Sequence, residues 1–297
     1  MSAAAGAIRG RFTAFRKTPW RERAAPTVLL APTLVLLLVF FVYPLVVVLS
    51  RSFTDPSFGF DNYTALWESE AFRAVMRNTF VIAALTTAIS LVLAYPVAYK
   101  ISTMPPKWAR VLLLLALVPL FTAILARLYA WTVLLGNQGP VNDALVDLGL
   151  TDSPLELLFT RTAVVIGMVH VMLPYMILVL YSTMVGIDKS LLEASRSLGA
   201  TRWQAFRKVF LPLSMPGVYA GCLLVFILSL GFFITPAVLG GPGDLTIATY
   251  VQQEVAILQW GAATAMAVVL VVVTLILFFF FNRLFGTERL LTGGIRK

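Results

Sequence analysis

Six stretches of about twenty apolar residues recur along this 297-residue chain, each long enough for an α-helix to cross the hydrocarbon layer of a bilayer. They run at approximately Thr27 to Leu49, Asn78 to Ala98, Val111 to Leu135, Thr162 to Val185, Pro216 to Leu239 and Gly261 to Phe281. Lipid offers backbone amides no partner, so only helices and closed barrels span it, and the sequence has no alternating ten-residue strand pattern of the kind a barrel needs. The reading is an all-α integral membrane protein with six transmembrane helices. Composition agrees: 59% of residues are hydrophobic and 12% charged, whereas soluble domains carry roughly 25% charged residues.

A formal charge of +9 would suit a nucleic-acid partner, but its distribution is topological. Loops rich in Lys and Arg stay on the cytoplasmic side. Of 23 basic residues, eighteen fall in the first tail, the second and fourth loops and the last tail. Arg51, Arg73, Arg77 and Arg161 lie in the other loops, together with ten of the fourteen acids, and Arg127 sits within the third stretch. Both termini are therefore expected in the cytoplasm, which requires an even number of spans. The first stretch is longer than the apolar part of a signal peptide and continues through Tyr43-Pro44, so it reads as a retained span. Domain organisation follows: a tail over 1–26, a six-helix domain over 27–285 that includes a cytoplasmic hairpin at 187–213, and a tail over 286–297.

Chemistry of its own is scarce. The chain has one His, one Cys and none of the HExxH, GxSxG or GxxxxGK[ST] patterns, so metal hydrolysis, nucleophilic triads and autonomous ATP hydrolysis lack their residues. No catalytic or metal site and no bound cofactor is expected. No Asp or Glu lies in the core of the six spans, which weighs against a proton-coupled secondary transporter, although a sodium site of carbonyls stays open as the rival reading. In the outer loop, Val141, Leu145 and Leu148 recur at helical spacing, suited either to a short surface helix or to a solvated connector.

The fourth loop, Ile187 to Gly217, is too structured for a connector. Ser190 and Glu193 have the spacing of a capping box, Gly199 follows where a helix would stop, and Thr201 with Gln204 is a second capping pair. Pro212 and Pro216 stand where a fifth span would begin. The expectation is helix, glycine turn, short helix. Glu193-Ala194-Ser195, then Gly199, then Val209-Phe210-Leu211-Pro212 resembles the EAA signature of ABC-importer permeases, with serine for the second alanine and valine for the usual isoleucine. The resemblance implies a coupling helix seated in a groove of an ATPase, with Glu193, Ala194, Ser195, Gly199, Val209, Leu211 and Pro212 as the coupling residues. Glu193 and Gly199 each also have a purely local role open to them, as helix caps.

Three further blocks resemble the spermidine/putrescine permease family: Arg127 to Gly139, Gly167 to Tyr175, and Gly231 to Pro242. The resemblance implies a permease of the methionine/maltose importer type in the bacterial inner membrane. Its partners would be an ATPase dimer that carries ATP and Mg, a second permease chain, a soluble solute-binding protein and the lipid bilayer. A polyamine path would offer aromatic faces and acids, for which Tyr129, Trp131, Tyr175, Phe232, Phe233, Asp244 and Glu254 are candidates. Aromatic residues near span ends also serve as interfacial anchors. His170 reads as a hydrogen-bonded helix contact, and Arg127 as a side chain that snorkels outward beside Tyr129 and Trp131.

Overall fold

The computed structural model describes residues 30–285, apart from the side chains of 284 and 285. The two tails and the start of the first span, 27–29, lie outside the described residues. Contacts divide the chain after Ser50 into two units. Leu30–Thr54 is one apolar helix, α1, with a π-turn at Leu38–Val42.

From Arg51 onward the chain builds a helical bundle. α2 (Asp61–Glu68) is a short amphipathic helix, and α3 (Glu70–Thr103) is a 34-residue span. Ser69 caps α3 by accepting the Phe72 amide. The third apolar stretch is not one straight helix. It breaks into α4 (Pro106–Phe121) and α5 (Ile124–Leu135), bent by 90° at Thr122, which is extended, and Ala123, which is non-helical. Pro119, two residues before the end of α4, removes an amide from the last turn and favours the break. α6 (Pro140–Asp147) is the outer surface helix. Its Asn142 is buried and fixes the loop by bonding Gly136 and Leu155 backbone groups at 2.8 to 3.0 Å.

α7 (Arg161–Met184) is the central helix. Two thirds of its most apolar window, 67%, is buried, against 17% for α12 (Trp260–Phe285), which runs along the periphery. α3, α7 and α9 (Arg202–Leu230) make the core, in which Met168, Met172, Met176 and Leu180 of α7 are fully buried. α9 approaches α7 closely through Gly217 and Gly221. A Cβ at Gly217 would stand 2.7 Å from Thr183 Cβ, and one at Gly221 2.7 Å from Met176 Sδ. Small residues four apart let helices in lipid meet backbone to backbone.

α9 ends at Gly231, short of the expected Leu239. Phe232 and Phe233 make a break before α10 (Ile234–Leu239), and α11 (Ile247–Ala256) returns toward α12. Among the described residues, five helices are thus long and apolar enough to cross a membrane, and the bent pair makes a sixth if counted as one span.

Candidate functional site

The hairpin at 187–213 begins with α8 (Lys189–Ser197). Its cap is Asp188, whose carboxylate accepts the Ser190 amide at 2.9 Å. The Ser190–Glu193 box does not form, because the helix starts at Lys189 and Ser190 already lies in its first turn. A carboxylate at the cap makes the stronger, charge-assisted bond, and that amide holds the Asp188 carboxyl below the ordinary aspartate range. Glu193 is left exposed, and among the described residues its carboxylate has no hydrogen bond or ion pair.

α8 stops at Gly199, where φ is +90°. The Gly199 amide donates to Arg196 O at 2.9 Å and the Ala200 amide to Ser195 O at 3.1 Å, the paired bonds of a Schellman ending. A Cβ at Gly199 would meet nothing within 4 Å. The demand for glycine there is conformational, not spatial. Thr201 and Gln204 then form the reciprocal capping box, with bonds of 3.2 and 2.9 Å.

The second helix was expected to be short, but it runs on without interruption into the fifth span. The Leu211 amide bonds to Phe206 O, five residues back, which widens Phe206–Phe210 into a π-turn. The wider turn precedes Pro212, whose ring would crowd the carbonyl of a regular turn. The root is clamped by aromatic rings: Tyr99 on α3 lies 5.2 Å from Phe206 and 4.8 Å from Phe210, edge to face. Tyr95 and Ser214 share a 2.7 Å hydrogen bond beside them.

The motif residues thus occupy two places. Glu193 and Ala194 are exposed on α8, and Ser195 turns its hydroxyl to Leu192 O. Val209 and Leu211 are half-buried in the root, with Pro212 exposed. No residue of α8 is buried, and Leu198 and Trp203 are 89% and 66% exposed. A concavity of about 340 Å3 opens between the helices, lined by Ser195, Leu198, Gly199, Gln204 and Lys208 among others. An apolar-edged fork without intrachain cover is suited to a protein groove.

The seven pathway candidates do not form one cluster. Trp131 donates its indole N–H to His170 Nδ1 at 2.9 Å, so His170 is a helix contact between α5 and α7. Tyr129 is exposed, Tyr175 is half-buried on α7, and Phe232 and Phe233 sit at the break after α9. Asp244 is committed elsewhere. It accepts from Arg161 Nε at 2.9 Å, Arg161 Nη2 donates to Asn78 Oδ1 at 2.9 Å, and Asn78 Nδ2 donates to Gly243 O at 2.8 Å. This clasp ties the loop after α10 to α3 and α7. Glu254 lies against Tyr250, whose phenol is pushed up by burial first and by that carboxylate second. A cleft of about 490 Å3 between this loop and α11 is lined by Gly240, Gly241, Thr249, Gln252 and Gln253 among others.

Arg127 does not snorkel freely. Its Nε and Nη1 are buried without a hydrogen-bond partner among the described residues, within electrostatic reach of His170 and Tyr175. The bend at Thr122 puts it in the first turn of α5, directed into the protein. Sequence reading missed the clasp and the aromatic root. The clasp joins residues 83 positions apart on either side of Arg161 and leaves no local signal. The pair Tyr95 and Tyr99, one turn apart near the inner end of α3, was the available sign of the root.

The fold and the exposed fork define a polytopic helical permease. The profile of the family described as "Binding-protein-dependent transport system inner membrane component" matches residues 10–287. The spermidine/putrescine transport system permease protein PotB of Escherichia coli K12 is 39% identical over 220 residues, covering 73% of this chain and 80% of its own length. The protein of the same name from Haemophilus influenzae is 39% identical over 209 residues, 70% of this chain and 73% of its own. A chain of the bacterial alginate ABC transporter superposes with a TM-score of 0.78 at 22% identity, over 91% of this chain and 96% of that one. A chain of the MetNI methionine ABC transporter does so at 0.55 and 19%, over 73% and 97%. At such identities the structures show the shared fold.

The chain belongs to the binding-protein-dependent transport system inner membrane component family. It is a multi-pass inner-membrane permease of an ABC importer that works with an ATPase and a periplasmic binding protein. Such subunits have no ATPase activity and bind no cofactor of their own.

Proposed function

We propose that this chain forms one wall of a polyamine pathway, opposite a second permease chain, and that the fork from Ile187 to Leu213 is the handle by which the ATPases move it. The observation that carries the reading is the fork itself, capped at Asp188, Gly199 and Thr201, rooted on Tyr99 and uncovered along α8. Closure of the ATPases on ATP would draw two such forks together and open the path outward. Hydrolysis would return it inward, an alternating access by rocking of two halves around a central site. Force is transmitted only if the fork moves as a unit, and its two capped turns and aromatic root supply that stiffness. Glu193, Ala194, Ser195 and Gly199 form the tip, while Val209, Leu211 and Pro212 carry the load into α9. The polyamine assignment is supported by the two relatives named for spermidine and putrescine.

The test is reconstitution in proteoliposomes with its partner ATPase, second permease and binding protein. Radiolabelled spermidine or putrescine should enter only with ATP and binding protein. Glu193→Ala should insert normally and hydrolyse ATP without uptake. Normal uptake by that variant would remove the coupling role, and uptake driven by a sodium gradient without ATP would favour an ion-coupled carrier instead.

A further inference from the structure

Arg51, Arg73, Arg77 and Arg161 stand at helix ends away from the basic loops, against the usual bias of positive charge toward the cytoplasm, and the structure accounts for two of them. Arg51 lies over the Trp260 ring, 5.2 Å from its centroid, and Arg161 is held by Asp244 and Asn78. Arg73 and Arg77 remain, one turn apart on α3. Among the described residues Arg73 pairs with Glu70 alone, at 4.0 Å, with side chains 62% and 94% exposed, a geometry that contributes little. Arg77 has no ion pair or hydrogen bond among the described residues.

Both arginines rim an apolar groove of about 530 Å3 between α2, α3 and α12, whose walls include Trp67, Phe72, Phe80 and Val269. Its depth in the membrane follows from helix geometry. Lys100, on the cytoplasmic side by the loop charges, is 23 residues from Arg77 along one continuous helix, or about 35 Å at 1.5 Å per residue. The hydrocarbon core is about 30 Å thick, so Arg77 and then Arg73 fall in the outer headgroup layer, while Phe80, three residues nearer Lys100, stands at the edge of the acyl region. α2 has the form of a helix lying in that interface, with Trp67 80% exposed.

We infer that this groove is a phospholipid site of the outer leaflet, holding an acyl chain against Phe80, Val269 and Val273 while Arg73 and Arg77 bind an anionic headgroup. Charge complementarity and depth together select that occupant. A free phosphate would leave the apolar wall uncovered, and an uncharged lipid would leave two arginines unmatched.

The assembled transporter, in nanodiscs containing lipids brominated on the acyl chain, tests the assignment. The fluorescence lost on Trp67→Phe isolates the Trp67 signal. Brominated phosphatidylglycerol should quench that signal more than brominated phosphatidylcholine at equal mole fraction, by a preference of about five-fold for each arginine. Arg73→Gln with Arg77→Gln should equalise the two lipids without loss of assembly, and added inorganic phosphate should not compete. Equal quenching by both lipids in the native protein would overturn the headgroup assignment. Absence of quenching by either would show that another protein chain covers the groove, which overturns the site itself.

Discussion

Gly199 offers the sharpest test of the fork, because conformation and space make opposite predictions there. Its φ of +90° is one that L side chains rarely adopt, while a Cβ would meet nothing within 4 Å. Alanine should therefore cost only backbone strain, about 1–2 kcal/mol, which lowers the ratio of formed to frayed turn by about five- to thirty-fold. Asparagine tolerates left-handed backbone better and should cost less, and β-branched valine should cost more. The assay is substrate imported per ATP hydrolysed by the reconstituted complex, expected to fall in the order Gly, Asn, Ala, Val. If glycine were needed instead because an ATPase surface presses on its Cα, cost would follow size and alanine would outperform asparagine. That order, or four equal ratios, would refute the conformational argument.

Arg161→Ala leaves Asp244 and the Asn78 carbonyl unmatched and should loosen the loop at 240–245, at a cost near the low end of about 1–3 kcal/mol because Arg161 is 42% exposed; hydrogen exchange of those amides should rise, and more than in Asp244→Asn. Gly217→Ala should lower the melting temperature of the purified complex through overpacking of about 1–3 kcal/mol, since Thr183 is β-branched and stiff. Gly221→Ala should be milder because the facing atom is the sulfur of a flexible Met176. Asp188→Ala should fray the first turn of α8. Since the native carboxyl is held below the ordinary value of 3.8, its contribution is complete above that pH and is lost only as pH falls below it. Exchange at the Ser190 amide should accordingly show equal protection at pH 5 and pH 7 after correction for intrinsic rate, and a loss across that interval would contradict the cap.

Much of the architecture was legible because it rests on local rules. Apolar length marked the spans, and Thr201 with Gln204 and Gly199 announced their own turns. Local rules failed where two of them competed or where one ran past its evidence. Asp188 outcompeted Ser190 for the cap because a charged acceptor stood two residues earlier. The prolines at 212 and 216 did not start a new helix, since a π-turn at Phe206–Phe210 let the chain continue through them. The third stretch, read as one span from its apolar length, bent at Thr122 just after Pro119.

What the amino-acid order determined by itself is therefore the helical membrane character and the existence of a fork of two capped helices. Both follow from the solvent that each residue can tolerate and from bonds made within a few positions along the chain. Only the tertiary structure decided which polar groups are spent within the protein: Asp244 on Arg161, His170 on Trp131, Tyr95 on Ser214. Those pairs join helices far apart in sequence, and their geometry depends on how the spans pack and bend, which no short window of residues contains.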